Sequence, residues 1–190
     1  MQQNLSTQNT NHTGLTLKSR LNSFFNRPLV FYPVLFFFLA YLAFSYLFSF
    51  GINFTHSLPY KYFIFAKHFD VKDLEREDIV KARYLNGYAF EQGSLFVKRI
   101  GGMPGDEITH IGQDVYINGK HIGTAKLFGG INQDGDPLDM SEPGVIPNNY
   151  YFLYTSHPDS FDSRYRYLGL VHERWIKGKS LIGFGAQEEL

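Results

Sequence analysis

Lys98 lies in the stretch Phe96-Val97-Lys98-Arg99-Ile100, just ahead of Gly101-Gly102-Met103-Pro104-Gly105-Asp106. The apolar run predicts a strand, in which successive side chains alternate between faces. Phe96, Lys98 and Ile100 then share one face, and Val97 and Arg99 share the other. A lysine flanked by two large apolar groups is odd for a purely structural strand. Burial there disfavours the ammonium and lowers the lysine pKa toward neutrality. A neutral amine near pH 7 is what a serine nucleophile needs as its general base. The competing arrangement is a lysine stem that crosses apolar surface with its head in water. Taken alone, the segment fits that commoner arrangement better. Pro104-Gly105 suits the centre of a type II turn, and no Gly-Lys-Ser/Thr follows to make a phosphate loop.

Other chemistry is poorly supported. The chain has seven histidines but no HExxH spacing. His56 adjoins Ser57, and in an extended segment neighbours point to opposite faces, so it is a poor base for that serine. His157 and His172 are further candidates for a Ser–His pairing, which only geometry decides. Asp134, Asp136 and Asp139 superficially resemble a calcium loop, but Pro137 interrupts them and no Glu closes the pattern. No metal or cofactor is expected. With no cysteine there is no disulfide, zinc-thiolate site or Cys nucleophile. Lys plus Arg equal Asp plus Glu at 18 each, without the basic excess expected of a nucleic-acid binder.

The elements that must position these residues divide the chain unevenly. Residues 1–26 are rich in Asn, Gln, Thr and Ser and read as a polar tail. Residues 29–50, LVFYPVLFFFLAYLAFSYLFSF, carry no charge and match the roughly 20 apolar residues that cross a bilayer as a helix. Gly51-Ile52-Asn53-Phe54 offers no good cleavage site, which favours an anchor over a removable signal peptide. Lys18, Arg20 and Arg27 before the span, against Lys61 and Lys67 after it, narrowly favour a cytoplasmic N-terminus. Residues 51–190 read as one mainly antiparallel β domain. Strands are expected over 61–67, 78–84, 94–100, 150–155, 167–171 and 180–184. Residues 115–122 form a hairpin around Asn118-Gly119. Residues 71–77 could make a helical turn, and the Gly/Pro/Asp-rich stretch 129–147 is expected to be a surface loop. Tyr62-Phe63-Ile64-Phe65 reads as core strand by default, with a membrane-facing surface as the alternative for an enzyme that cuts at the bilayer.

Four blocks in order carry a family resemblance. Thr55-His56-Ser57-Leu58-Pro59, just after the apolar span, resembles the nucleophile block of the signal peptidase I family. Glu77-Asp78-Ile79-Val80 resembles its Gly-Asp-Ile-Val strand, and Phe96–Glu107 resembles its strand bearing Lys-Arg that runs into Gly-x-Pro-Gly-Asp. Ser160-Phe161-Asp162-Ser163-Arg164, leading to Leu168-Gly169-Leu170-Val171, resembles its Ser-x-Asp-Ser-Arg block. The resemblance implies a membrane-anchored serine endopeptidase with a signal peptidase-like antiparallel β domain. Ser57 would be the nucleophile and Lys98 its base. The Ser57 N–H and the Thr55 hydroxyl would donate to the oxyanion, Ser160 would orient the lysine, and Asp162 and Arg164 would form an ion pair near the site.

Two departures refine this. Ser57-Leu58-Pro59 stands where general signal peptidases read Ser-Met-x-Pro, and is similar to the conjugative-transfer (TraF-type) subgroup that matures pilin precursors. Tyr154-Thr155-Ser156-His157 replaces the usual Gly-Asp-Asn-Arg run. The expected partners are a precursor protein (a propilin or another signal-peptide-bearing chain), the lipid bilayer and conjugation apparatus proteins. The expected place is the bacterial inner membrane, with a single span and the catalytic domain in the periplasm. A housekeeping signal peptidase is the alternative enzyme. A non-catalytic component of a secretion apparatus is the alternative of another class, disfavoured because Ser57 and Lys98 are both present.

Overall fold

The computed structural model describes residues 28–54, 57–86, 90–126 and 139–187. The expected polar tail, Thr55, His56, Asp134, Asp136 and Pro137 lie outside them. The chain divides into two compact units, residues 1–44 and 45–190. Helix α1 (Pro28–Leu47), whose residues up to Phe44 belong to the first unit, is long and apolar enough to cross a membrane. Pro33 sits within its first two turns. The helix ends three residues before the apolar run does, because Phe48–Ile52 is strand β1. Composition could not mark that boundary, since alternating Phe48, Phe50 and Ile52 extend the apolar run while pairing with the next strand.

In the second unit the strands are β2 (Tyr60–Ala66), β3 (Ile79–Arg83), β4 (Leu95–Gly102), β5 (Glu107–Ile111) and β6 (Asp114–Ile117). They continue as β7 (Lys120–Thr124), β8 (Gly144–Val145), β9 (Tyr150–Tyr154), β10 (Val171–His172) and β11 (Ile176–Ala186). Among the described residues they form one sheet ordered β1-β2-β11-β3-β4-β9-β10 and a second ordered β7-β6-β5-β8. Every ladder is antiparallel. The fold is therefore mainly β, as expected.

Two expectations need correction. Residues 167–170 are not strand: Leu168 and Gly169 both donate their N–H to the Tyr165 carbonyl, and Gly169 has φ 61°, which closes a turn. Only Val171 and His172 pair, with β9. The end of the expected 129–147 loop is likewise structured. Gly144 and Val145 pair with β5, and Ile146 is buried. The helical turn expected at 71–77 is a short 3-10 turn, Val71–Asp73.

Side-chain alternation explains the core. On β2, Phe63 and Phe65 are buried with Leu58, and Val97 of β4 packs on that cluster. On the other face of β4, Ile100 joins Val80, Ala82 and Leu153, with Phe96 packed against them. The second sheet buries Ile108, Val115, Ile117, Ile122 and Ile146 against Phe152 and Tyr154 of β9.

Gly101 and Gly102 allow the two sheets to meet. A Cβ on Gly102 would lie 2.5 Å from Ile146 Cδ1 and 2.9 Å from Phe152 Cβ, and one on Gly101 would lie 2.7 Å from the Tyr154 ring. The chain then turns at Pro104-Gly105, where Gly105 has φ 89° and the Asp106 N–H donates to the Met103 carbonyl. That matches the positive φ a type II turn requires at its third position.

Candidate active site

Lys98 sits on β4 between β3 and β9, directly opposite Val80. Phe96 and Val97 pack on different clusters, as the alternation requires. The Lys98 Nζ donates to Ser160 Oγ at 2.5 Å. Burial pushes its pKa down to about 8; the Asp162 charge works against that shift and Arg164 adds to it. The snorkelling arrangement is thus replaced by an amine held inside the protein and aimed at a hydroxyl.

Low exposure alone does not single out Lys98. Lys81, on neighbouring β3, is only 7% exposed, and burial and then Lys67 lower its pKa too, although burial acts more strongly on the Lys98 amine. Its Nζ, however, donates to the Phe50 carbonyl at 2.6 Å and to Ser49 Oγ at 3.0 Å, and lies 4.6 Å from the Phe65 ring centroid. Lys81 thereby ties β3 to β1. Lys98 differs because it lines an open cavity of about 640 Å³ that Ser57 and Ser160 also line.

Ser57 is 5% exposed, in the turn between β1 and β2. Leu58, fully buried beside Phe63 and Phe65, anchors that turn in the core. The end of β11 pins it from outside: the Gln187 N–H donates to the Pro59 carbonyl and its Nε2 donates to the Leu58 carbonyl, both at 3.0 Å. Gln187 drew no notice in the sequence, because a polar residue near a terminus carries no local signal.

Ser160 is held by a buried ion pair. Arg164 meets Asp162 through two parallel contacts, Nε–Oδ1 at 2.8 Å and Nη2–Oδ2 at 2.9 Å, with both side chains at most 1% exposed. Backbone N–H groups of Thr155 and Arg164 also donate to Asp162. Arg164 donates further to the carbonyls of His157, Ser160 and Thr124, so the guanidinium fastens the 157–160 turn. Gly123 gives it room: a Cβ there would lie 2.8 Å from Arg164 Nη1. The carboxylate and guanidinium are saturated by each other and by backbone, which suits a positioning role.

The structure thus gathers Ser57, Lys98, Ser160, Asp162 and Arg164 around one region, while Thr55 falls outside the described residues. His157 lines the same cavity, but its Nδ1 accepts from the Asp159 N–H. His172 lines a different cavity, and its Nδ1 accepts from the Arg174 N–H. Apolar Ile52, Phe54, Phe90 and Leu95 form much of the remaining cavity wall. Phe90 and Phe161 line the cavity and pack edge-on against Tyr84 and each other, a cluster of residues far apart in the chain that no local pattern marks.

Residues 24–184 match the family described as signal peptidase, peptidase S26. The chain belongs to that family. It is 34% identical over 119 residues to signal peptidase I of Bacillus amyloliquefaciens, covering 60% of each chain. Against signal peptidase I S of Bacillus subtilis (strain 168) the identity is 36% over 120 residues, 60% of this chain and 61% of the other. The match thus spans about three fifths of the length of these relatives. Conjugal transfer protein TraF of Agrobacterium tumefaciens (strain 15955) is 33% identical over 69 residues, 36% of this chain and 38% of that one. A crystal structure of a signal peptidase I from Enterococcus faecalis V583 aligns with TM-score 0.37 and 22% identity, over 58% of this chain and 98% of that one.

Proposed function

We propose that this S26 family member is a membrane-anchored serine endopeptidase that removes signal or leader segments from exported precursors. The reading is carried chiefly by the Lys98 amine, with its pKa near 8, in one cavity with Ser57. Neutral Lys98 takes the Ser57 Oγ proton as Oγ attacks the scissile carbonyl. The Ser57 N–H and the Thr55 hydroxyl donate to the developing oxyanion, a contribution of roughly 3 kcal/mol for such a donor. Protonated Lys98 then gives its proton to the leaving amine. Water, deprotonated in turn by Lys98, hydrolyses the acyl-enzyme. Ser160 keeps the amine aimed, and the Asp162–Arg164 pair keeps Ser160 in place.

A conjugative propilin is the substrate we favour, on the Ser57-Leu58-Pro59 resemblance and the partial match to TraF. The longer matches to two Bacillus signal peptidases favour the alternative of a general signal peptidase. α1 is read as the anchor, with a cytoplasmic N-terminus and the β unit in the periplasm at the inner membrane. Co-expression of wild type, Ser57→Ala and Lys98→Ala with a candidate propilin or an ordinary secretory precursor tests the whole reading. Cleavage by wild type alone is expected, and processing by either variant would refute the dyad. Which precursor is cut decides between the two substrates.

A further inference from the structure

A second cavity, of about 200 Å³, adjoins the one that holds Ser57 and Lys98. Tyr84 and Leu168 line both, so these two residues form part of the wall between them. Arg83 lines the second cavity and stands directly opposite Leu95 in the β3–β4 ladder, while Leu95 lines the first. Lys98 and Leu95 are three residues apart on β4, which at the rise of a strand is about 10 Å. Alternation turns Leu95 and Arg83 to the other face of the sheet from Lys98, so Arg83 is met where the β3–β4 ladder ends, a distance that an extended polypeptide covers in roughly three to five residues.

The chemistry of the second cavity differs from that of the first. Arg83, Arg174 and His172 line it, and among the described residues none that lines it is acidic. Arg83 and Arg174 are exposed, and the Arg174 guanidinium lies 5.1 Å from the centroid of Trp175, which walls the cavity. Two forked guanidinium groups suit a carboxylate.

We propose that this cavity is a substrate subsite that receives an acidic side chain of the precursor, a few residues from the scissile bond. It rests on the peptidase reading above. A lipid headgroup is the less favoured occupant, because the lining includes no residue of β1 or β2, the strands that carry the exposed apolar face, and because the cavity shares Tyr84 and Leu168 with the one that holds Ser57 and Lys98.

The test uses the full chain in detergent and fluorescent alanine-rich decapeptides with a single Glu at successive positions, each matched by a Gln control. Binding to Ser57→Ala is read by anisotropy, and cleavage by wild type is read as kcat/KM. Glu should be preferred over Gln at one position by about five- to tenfold, the range of a partly sheltered charged contact. The preference should vanish in the Arg83→Gln, Arg174→Gln double variant and pass to a Lys-bearing peptide in Arg83→Glu. Equal binding of Glu and Gln peptides at every position overturns the subsite. So does a preference that survives the double variant, or a double variant that loses affinity for phosphatidylglycerol vesicles with its Glu/Gln ratio intact. Because the anisotropy arm needs no turnover, a peptidase reading that failed would show separately, as peptides bound and never cut by wild type.

Discussion

An ammonium is disfavoured at Lys98, and that has two consequences for experiment. If Lys98 is the base proposed above, it is protonated and idle below pH 8, so kcat/KM should rise with pH along a limb near pH 8. A pH–rate profile that is flat from 6 to 9 would contradict this. The same depressed pKa is a stability statement. The folded state favours the neutral amine, so it binds fewer protons than the unfolded state between about pH 8 and the ordinary 10.5. Below that window the folded protein carries the full penalty, roughly 3 kcal/mol, and above it the penalty is gone. Lys98→Met at pH 7 should therefore abolish cleavage while raising the melting temperature. The buried pair should behave in the opposite sense. Asp162→Ala strands the Arg164 guanidinium in the interior, with an expected loss of about 3–5 kcal/mol. Denaturant melts of this variant check it, and a midpoint equal to wild type would argue against a structural role for the pair.

At the scale of elements, the site depends on places where strands approach closely. Gly102 marks the point where β4 passes from one sheet toward the other, against Ile146 and Phe152. Gly102→Ala should overpack that contact and cost about 1–3 kcal/mol, read as a lower melting temperature. The Asn118-Gly119 hairpin was expected from the dipeptide alone. Both residues have the positive φ of a type I′ turn, 49° and 77°. Its tertiary role was not legible: Asn118 Nδ2 also donates to Asp106, and Asn118 Oδ1 accepts from the Glu107 N–H. Asp106 is in turn an ion-pair partner of Arg76, so one turn residue braces the loop that follows the Lys98 strand. β5 escaped notice because its two apolar residues, Ile108 and Ile111, do not alternate.

At the scale of the whole molecule, the β unit exposes an ordered apolar face. In the β1–β2–β11 register, Phe50, Ile64 and Ile182 stand in one row and Ile52, Tyr62 and Phe184 in the next. All six alternate onto the same side, and all but Ile64 are well exposed. The buried partners Phe63 and Phe65 point the other way. The run Tyr62-Phe63-Ile64-Phe65 is thus half core and half surface. A contiguous exposed apolar patch suits contact with the interfacial region of a bilayer. Ile182→Lys with Phe184→Lys is expected to lower liposome-stimulated cleavage severalfold while soluble-peptide cleavage holds, on the depth-dependent penalty of burying charge in lipid. Unchanged stimulation by liposomes would count against that surface.

Sequence by itself determined the apolar span, the antiparallel β character and the order of the four blocks, because period and composition are local properties of the chain. It also placed Lys98 between Phe96 and Ile100, since alternation follows from strand geometry alone. Only tertiary structure decided that Lys98, and not the likewise little-exposed Lys81, shares a cavity with Ser57, because Ser160 and the Asp162–Arg164 pair come from some 60 residues further along the chain. The same holds for Gln187, which reaches back to Leu58 and Pro59 at the opposite end of the β unit. Such contacts have no period to read: they exist once β2, β11, β3, β4 and β9 have closed into one sheet.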